Sequence, residues 1–235
     1  MTDVIAVTGT GTEVGKTIVT AAIAALARAA DKNVTVVKLA QTGIELGDES
    51  DTDVVTRLSG VTDVHELVRY PEPLAPATAA RRAGQDTVPV AELTEQVRAL
   101  AEDSGRDLVV VEGAGGLLVH LDADGGTIAD AARALDAKVV VVAAAGLGTL
   151  NAIALTTEAL RSRDVDCLGI VIGSWPAEPD LAAQCNLDDV ETYAHAPLLG
   201  RIPAGASRLD PGEFRQVAAK NLAPVLGGTW IYREE

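Results

Sequence analysis

The chain has 235 residues, 48% hydrophobic and 23% charged, ordinary globular proportions that argue against a disordered chain. A chain of this length buries roughly 70 to 75% of its unfolded surface, so it needs neither disulfides nor a structural metal to fold. Nineteen basic against thirty-four acidic side chains give a net charge of −15, a field that opposes unspecific binding to nucleic acid and to anionic membranes.

Val4 to Thr8 is a short, nearly continuous β-branched run that predicts a strand, and the Ala-rich stretch Lys16 to Ala30 predicts the helix after it. Val34 to Leu39 predicts a second strand. From Gly43 to Gln85 the periodicity weakens and a Pro-rich piece, Tyr70 to Pro76, appears. This segment reads as a short helix near Asp51 to Leu58 and a surface excursion over the C-terminal edge of a sheet, where such excursions shape ligand sites. A helix at Val90 to Glu102, a strand at Leu108 to Glu112, a helix at Ile128 to Leu135, a strand at Val139 to Ala143, a helix at Leu150 to Arg161 and a strand at Leu168 to Ile172 follow. A helix at about Ala182 to Tyr193, a last strand within Pro197 to Pro203, and a helix around Pro211 to Asn221 close the chain.

Strands apolar on both faces, alternating with helices, predict an α/β protein with a doubly wound, mostly parallel sheet and helices on both faces. No repeat or low-complexity linker interrupts it, so residues 1–235 read as one domain. The apolar stretch Val139 to Leu155 is broken by Gly146, Gly148, Thr149 and Asn151 and reads as strand, turn and helix rather than a membrane span. Cys167 and Cys185 offer no disulfide framework, and His65, His120 and His195 form no zinc signature; with no basic and apolar leader after Met1, a cytoplasmic protein is expected.

The strongest chemical signal follows the first strand: Thr8-Gly-Thr-Gly-Thr-Glu-Val-Gly-Lys-Thr17, then a helix. Backbone amides of a Gly-rich loop and a helix N-terminus form an anion nest, Lys16 adds charge at the β- and γ-phosphates, and the Thr17 hydroxyl is suited to ligate Mg²⁺. The spacing departs from the strict pattern. Five residues rather than four separate Gly9 from Gly15, with Thr10 at the usual first-glycine position. A P-loop NTPase type of fold is predicted, the alternative being a Gly-rich turn without a ligand.

Lys38 closes the second strand beside this loop, and Glu112 ends the run Leu-Val-Val-Val-Glu, where phosphate-loop enzymes place a metal-binding acid. Gly113-Ala-Gly-Gly116 lets backbone approach a ligand closely. At Gly146 to Asn151, a turn into a helix leaves amides free for a carboxylate, unless Thr149 or Asn151 caps that helix.

GTGTEVGKT, the Lys38 segment VVKLAQTG, the strand end VVVEGAGGLLV and the later GLGTLN together resemble the dethiobiotin synthetase family from Thr8 to about Pro203, in order and spacing. The resemblance implies nucleotide contacts from Thr12, Glu13, Val14, Gly15, Lys16, Thr17 and Ile18, and from Gly113, Ala114 and Gly115. It makes Lys38 the catalytic lysine, touching the γ-phosphate and the substrate carbamate, although Leu39 stands where the family has proline. It makes Asp51, six residues before Arg57, the second Mg²⁺ carboxylate with Glu112 and the Thr17 hydroxyl; Asp53 is close enough to compete, and Asp51 is also suited to cap the following helix. Thr12, Lys38 and Thr42 would face the substrate, and Gly148, Thr149, Leu150 and Asn151 would hold its carboxylate tail from the partner subunit of a homodimer.

The nucleobase end departs from the family. Where an Asn-Asp pair reads adenine, this chain has Gly173 and Ser174, which weakens base discrimination; backbone at Pro203, Ala204 and Gly205 remains to contact the base. ATP is the default donor and the preference among triphosphates stays open. The implied reaction joins CO₂ or bicarbonate to 7,8-diaminononanoate at the expense of ATP, through a carbamate and a carbamic-phosphoric anhydride, to give dethiobiotin, ADP and phosphate. An amidoligase would need glutamine-handling machinery for which this chain has no room. A partition-type ATPase would need a lysine where Gly11 stands, five residues before Lys16.

Overall fold

β-Branched runs that are apolar on both sides can bury themselves only between two layers of helices, and that is how the chain folds. The computed structural model, which describes residues 2–44, 47–103 and 105–232, starts with β1 (Asp3–Gly9), α1 (Lys16–Ala29), β2 (Val34–Lys38) and a two-residue β3 (Gln41–Thr42). Then come α2 (Asp51–Ser59), β4 (Val64–Glu66), β5 (Arg69–Tyr70) and α3 (Pro76–Ala83). The second half runs α4 (Val90–Glu102), β6 (Leu108–Glu112), α5 (Ile128–Ala134), β7 (Lys138–Ala143), α6 (Thr149–Arg161), β8 (Cys167–Trp175), α7 (Leu181–Ala194), β9 (Leu198–Pro203) and α8 (Pro211–Asn221).

Seven strands form one sheet in the order β4-β2-β6-β1-β7-β8-β9, and every pairing is parallel. The strand order reverses around β1, which puts the loops after β1, β2 and β6 side by side at the C-terminal edge. Side chains alternate between two cores. Ala6, Val109, Val111, Val139 and Val141 face α4, α5, α6 and α7, while Val7, Val110, Val140 and Val142 face α1, α2 and α8. Small residues stand in for aromatics: Ala21, Ala22, Ala24 and Ala25 let α1 lie close on the sheet, and Phe214 is the one phenylalanine of the chain.

The expected excursion is more ordered than its sequence suggested. It contributes β4 to the sheet edge, with Val36, Val37 and Lys38 paired to Val64, His65 and Glu66, and β5 to a small parallel pair with β3. β4 is three residues long and pairs on one side only, so it has no apolar run to announce it. β8 also extends beyond Ile172, so Gly173 and Ser174 lie inside the strand rather than after it. The interrupted apolar stretch forms β7, a turn and α6. Among the described residues no helix is long and apolar enough to cross a membrane.

Candidate active site

The phosphate loop turns from β1 into α1 through Gly15, at φ 96°, with Glu13 also left-handed at φ 60°. A Cβ on Gly15 would lie 2.6 Å from the Gly173 carbonyl oxygen, so only glycine fits both the angle and the contact. No side chain caps α1, whose first turn holds no acid. Its amides therefore remain available to an anion, with the helix dipole behind them.

Four side chains from four elements converge beside this loop. Lys38 Nζ lies 2.5 Å from Asp51 and 2.7 Å from Glu112 Oε1, and it donates to the Gly113 carbonyl at 3.0 Å. Thr17 Oγ1 donates to the same Glu112 oxygen at 2.9 Å. Lys38 is only 4% exposed, and burial pulls its pKa down, but Glu112 and Asp51 outweigh that and hold it above the ordinary lysine value. Lys16 behaves in the opposite way. Burial is its largest influence and leaves its pKa below the ordinary value, while its Nζ donates back to the Gly11 carbonyl at 2.9 Å.

These groups line a cavity of about 430 Å³, together with Thr12, Glu13, Gly15, Ile18, Thr42, Ala114 and Gly115. Gln41, Ala40 and Ile44 also line it and were not anticipated. Gln41 had a visible signal, a polar residue three places after Lys38 in an apolar segment. Val14 packs into the core behind the loop. Gly113 offers its carbonyl to Lys38, and a Cβ there would lie 2.8 Å from Ile128.

Asp51 does not cap α2. Ser50 is the cap: its hydroxyl accepts the Asp53 amide, and the Asp53 carboxylate accepts the Ser50 amide and hydroxyl. Asp53 is thereby committed to its own helix end, and Asp51 is the carboxylate that turns to Lys38. Thr149 and Asn151 do not cap α6 either. Gly148 stands at that cap with no side-chain bond, and the Thr149 hydroxyl donates to the Ala144 carbonyl at 2.7 Å. Gly148, Thr149, Leu150 and Asn151 are not among the cavity-lining residues, nor are Gly173, Ser174, Pro203, Ala204 and Gly205. Gly173 instead backs the phosphate loop, and the Ala204 amide donates to the Trp175 carbonyl at 2.7 Å.

A larger cleft of about 970 Å³ opens at the opposite edge, lined by Arg28, Lys32, Arg106 and Arg215 among others. Arg106 is spent on Asp63 and Asp103, and the C-terminal ends of α1 and α2, which favour cations, account for Arg28 and its neighbours. The smaller cavity is the one that the phosphate loop, Lys16, Lys38, Asp51 and Glu112 line.

Two carboxylates and a hydroxyl are hard oxygen donors of the kind Mg²⁺ prefers when phosphates and waters complete its shell. The residues present thus fit the ion. A parallel α/β sheet with an uncapped Gly-Lys-Thr loop, two lysines and two acids at its C-terminal edge defines a P-loop nucleotide-binding protein. Residues 3–208 match the family described as an AAA domain. The chain is 59% identical to the ATP-dependent dethiobiotin synthetase BioD of Frankia casuarinae over 228 residues, covering 97% of this chain and 95% of that one. It is 60% identical to the protein of the same name from Saccharopolyspora erythraea, covering 97% and 98%. It belongs to the dethiobiotin synthetase family. Among solved structures, the MinC:MinD cell division complex of Aquifex aeolicus matches with a TM-score of 0.61 at 14% identity over 99% of both chains. The Pyrococcus furiosus cell division ATPase MinD matches with 0.57 at 18% identity over 93% and 97%. At such identities the likeness is one of fold.

Proposed function

We propose that the chain catalyses the ATP-dependent ring closure of 7,8-diaminononanoate with CO₂ to dethiobiotin, releasing ADP and phosphate. Family membership supports the reaction, and one observation ties it to these residues: a buried ammonium, Lys38, held between Asp51 and Glu112 beside an uncapped helix N-terminus. The amides of Glu13 to Thr17 receive the phosphates and Lys16 neutralises their outer charge. Thr17, Asp51 and Glu112 would hold Mg²⁺, which when bound supplies further neutralisation of phosphate charge.

One amine of the substrate bonds to CO₂ and loses a proton, giving a carbamate. A carbamate oxygen attacks the γ-phosphorus and ADP leaves; the second amine then attacks the carbamoyl carbon and loses a proton, the ring closes and phosphate leaves. Each stage places negative charge next to Lys38, whose raised pKa keeps it an ammonium throughout the neutral range, and fixed charge of this kind lowers the barrier. No side-chain nucleophile is needed. Positioning and electrostatics suffice.

Thr12 and Thr42 supply polar contacts to the reacting amines. Gly148 to Asn151 receive the carboxylate tail across a homodimer interface, a reading supported by the lack of a side-chain cap at the start of α6 and by Leu147, 92% exposed in the turn before it. Gly173, Ser174, Pro203, Ala204 and Gly205 form the nucleobase end, with ATP as the default donor. The test omits ATP, Mg²⁺, bicarbonate or diaminononanoate in turn while phosphate and ureido product are both assayed. The complete mixture should yield the two in equal amounts. Phosphate release that continues undiminished without the diamine would mark a switch-type ATPase instead.

A further inference from the structure

We infer that Gln41 is a positioning residue whose carboxamide grips the first amide of α2 and so keeps the Asp51 carboxylate against Lys38 at the cation site. The inference rests on the reading of Asp51 as a metal carboxylate given under Proposed function. Gln41 lies on β3, is 4% exposed and lines the cavity. Its Oε1 accepts from the Asp51 amide at 3.2 Å and its Nε2 donates to the Thr42 carbonyl at 3.3 Å. A donor on one side and an acceptor on the other fix which way the amide group points.

Asp51 opens α2, so its N–H is one of the amides at a helix start that lack an intrahelical partner. Ser50 takes the Asp53 amide, and Asp53 takes that of Ser50. The Asp51 amide goes to Gln41. This single bond joins positions ten residues apart and connects the Asp51 main chain to the segment that carries Lys38, whose Nζ meets the Asp51 carboxylate at 2.5 Å. The carboxylate is thus held from two sides, by Lys38 at its tip and by Gln41 at its root. Groups that orient a metal ligand in this way typically change metal affinity about tenfold or more when lost.

The test compares Gln41→Met, which keeps the length of the side chain but neither hydrogen bond, with Gln41→Glu, which keeps an acceptor oxygen. Mn²⁺ binding to the protein with ADP is followed by electron paramagnetic resonance, and amide exchange at Asp51 and Thr52 by NMR. Gln41→Met should accelerate exchange at Asp51 and weaken Mn²⁺ binding by about tenfold, and Gln41→Glu should recover most of both. In an Asp51→Asn background, which itself weakens Mn²⁺ binding, Gln41→Met should add nothing. Parental exchange at Asp51 in Gln41→Met, or parental Mn²⁺ affinity in that variant while Asp51→Asn loses it, overturns the role of Gln41. Parental affinity in Asp51→Asn overturns the metal reading of Asp51 and takes this inference with it, an outcome distinct from failure of Gln41 alone.

Discussion

Lys38 holds its charge in a place where an isolated ammonium would be neutralised by burial, because Asp51 and Glu112 stand within 2.7 Å of it. Lys38→Ala therefore has two expected effects. Dethiobiotin formation disappears while the circular dichroism spectrum is kept. Without divalent cation, the abandoned carboxylates should cost about 3 kcal/mol in urea unfolding; near-normal turnover would move Lys38 out of the chemistry. Gly173 makes a different point. A Cβ there would lie 2.1 Å from the Val14 carbonyl oxygen and 2.5 Å from Val142, so any side chain at this position is sterically excluded while the loop keeps this path. Gly173→Ala should lower stability by about 1 to 3 kcal/mol and raise the nucleotide KM, measured by chemical denaturation and steady-state kinetics. Parental values of both would show that the loop yields without cost.

The N-terminal edge of the sheet depends on a second polar cluster. Asp63, just before β4, accepts from Thr35 at 2.5 Å and from Arg106 at 3.1 Å, and it meets His65 at 2.8 Å. Partial burial pushes the Asp63 pKa up, but these hydrogen bonds outweigh it and set the pKa below the ordinary 3.8. A depressed carboxylate stabilises the fold above its unfolded pKa and loses that contribution as pH falls through the folded value. Asp63→Asn should thus be less stable than the parent at pH 7, with the gap narrowing near pH 3 in parallel urea titrations. A gap that stays constant with pH would assign the loss to packing. The same strand shows what patterning misses. β4 was invisible as Val-His-Glu, since an edge strand paired on one side does not need an apolar run, whereas β6 and β7, buried on both faces, were plain.

The dimer reading is testable through Leu147, whose near-complete exposure between Gly146 and Gly148 leaves a large apolar side chain in water beside the residues proposed to hold the substrate tail. Leu147→Asp should shift the sedimentation velocity profile towards monomer and raise the diaminononanoate KM, because a charge in the centre of an interface is costly. An unchanged profile would place Leu147 outside the interface. The molecule also keeps its two thiols apart in reactivity. Cys185 is exposed, while burial pushes the Cys167 thiol up to about 11, so maleimide at neutral pH should label Cys185 quickly and Cys167 only after unfolding. Rapid labelling of both would mean that β8 opens locally.

Gly15-Lys16-Thr17, the Glu112 strand end and the alternation of β-branched runs with helices were enough to predict a parallel α/β fold with a phosphate loop, because each is a local pattern with a local cause: backbone angle, strand burial or helix polarity. Which of Asp51 and Asp53 faces Lys38 was only partly a local matter. It turned on Ser50 and Asp53 closing the α2 cap between themselves, which left Asp51 to meet Lys38 across the cavity. The site of Gln41 and the wedge of Gly173 behind Gly15 likewise depend on residues that the sheet order brings together from distant positions. Spacing along the chain carries no record of such meetings, since they arise only when the strands take their places beside β1.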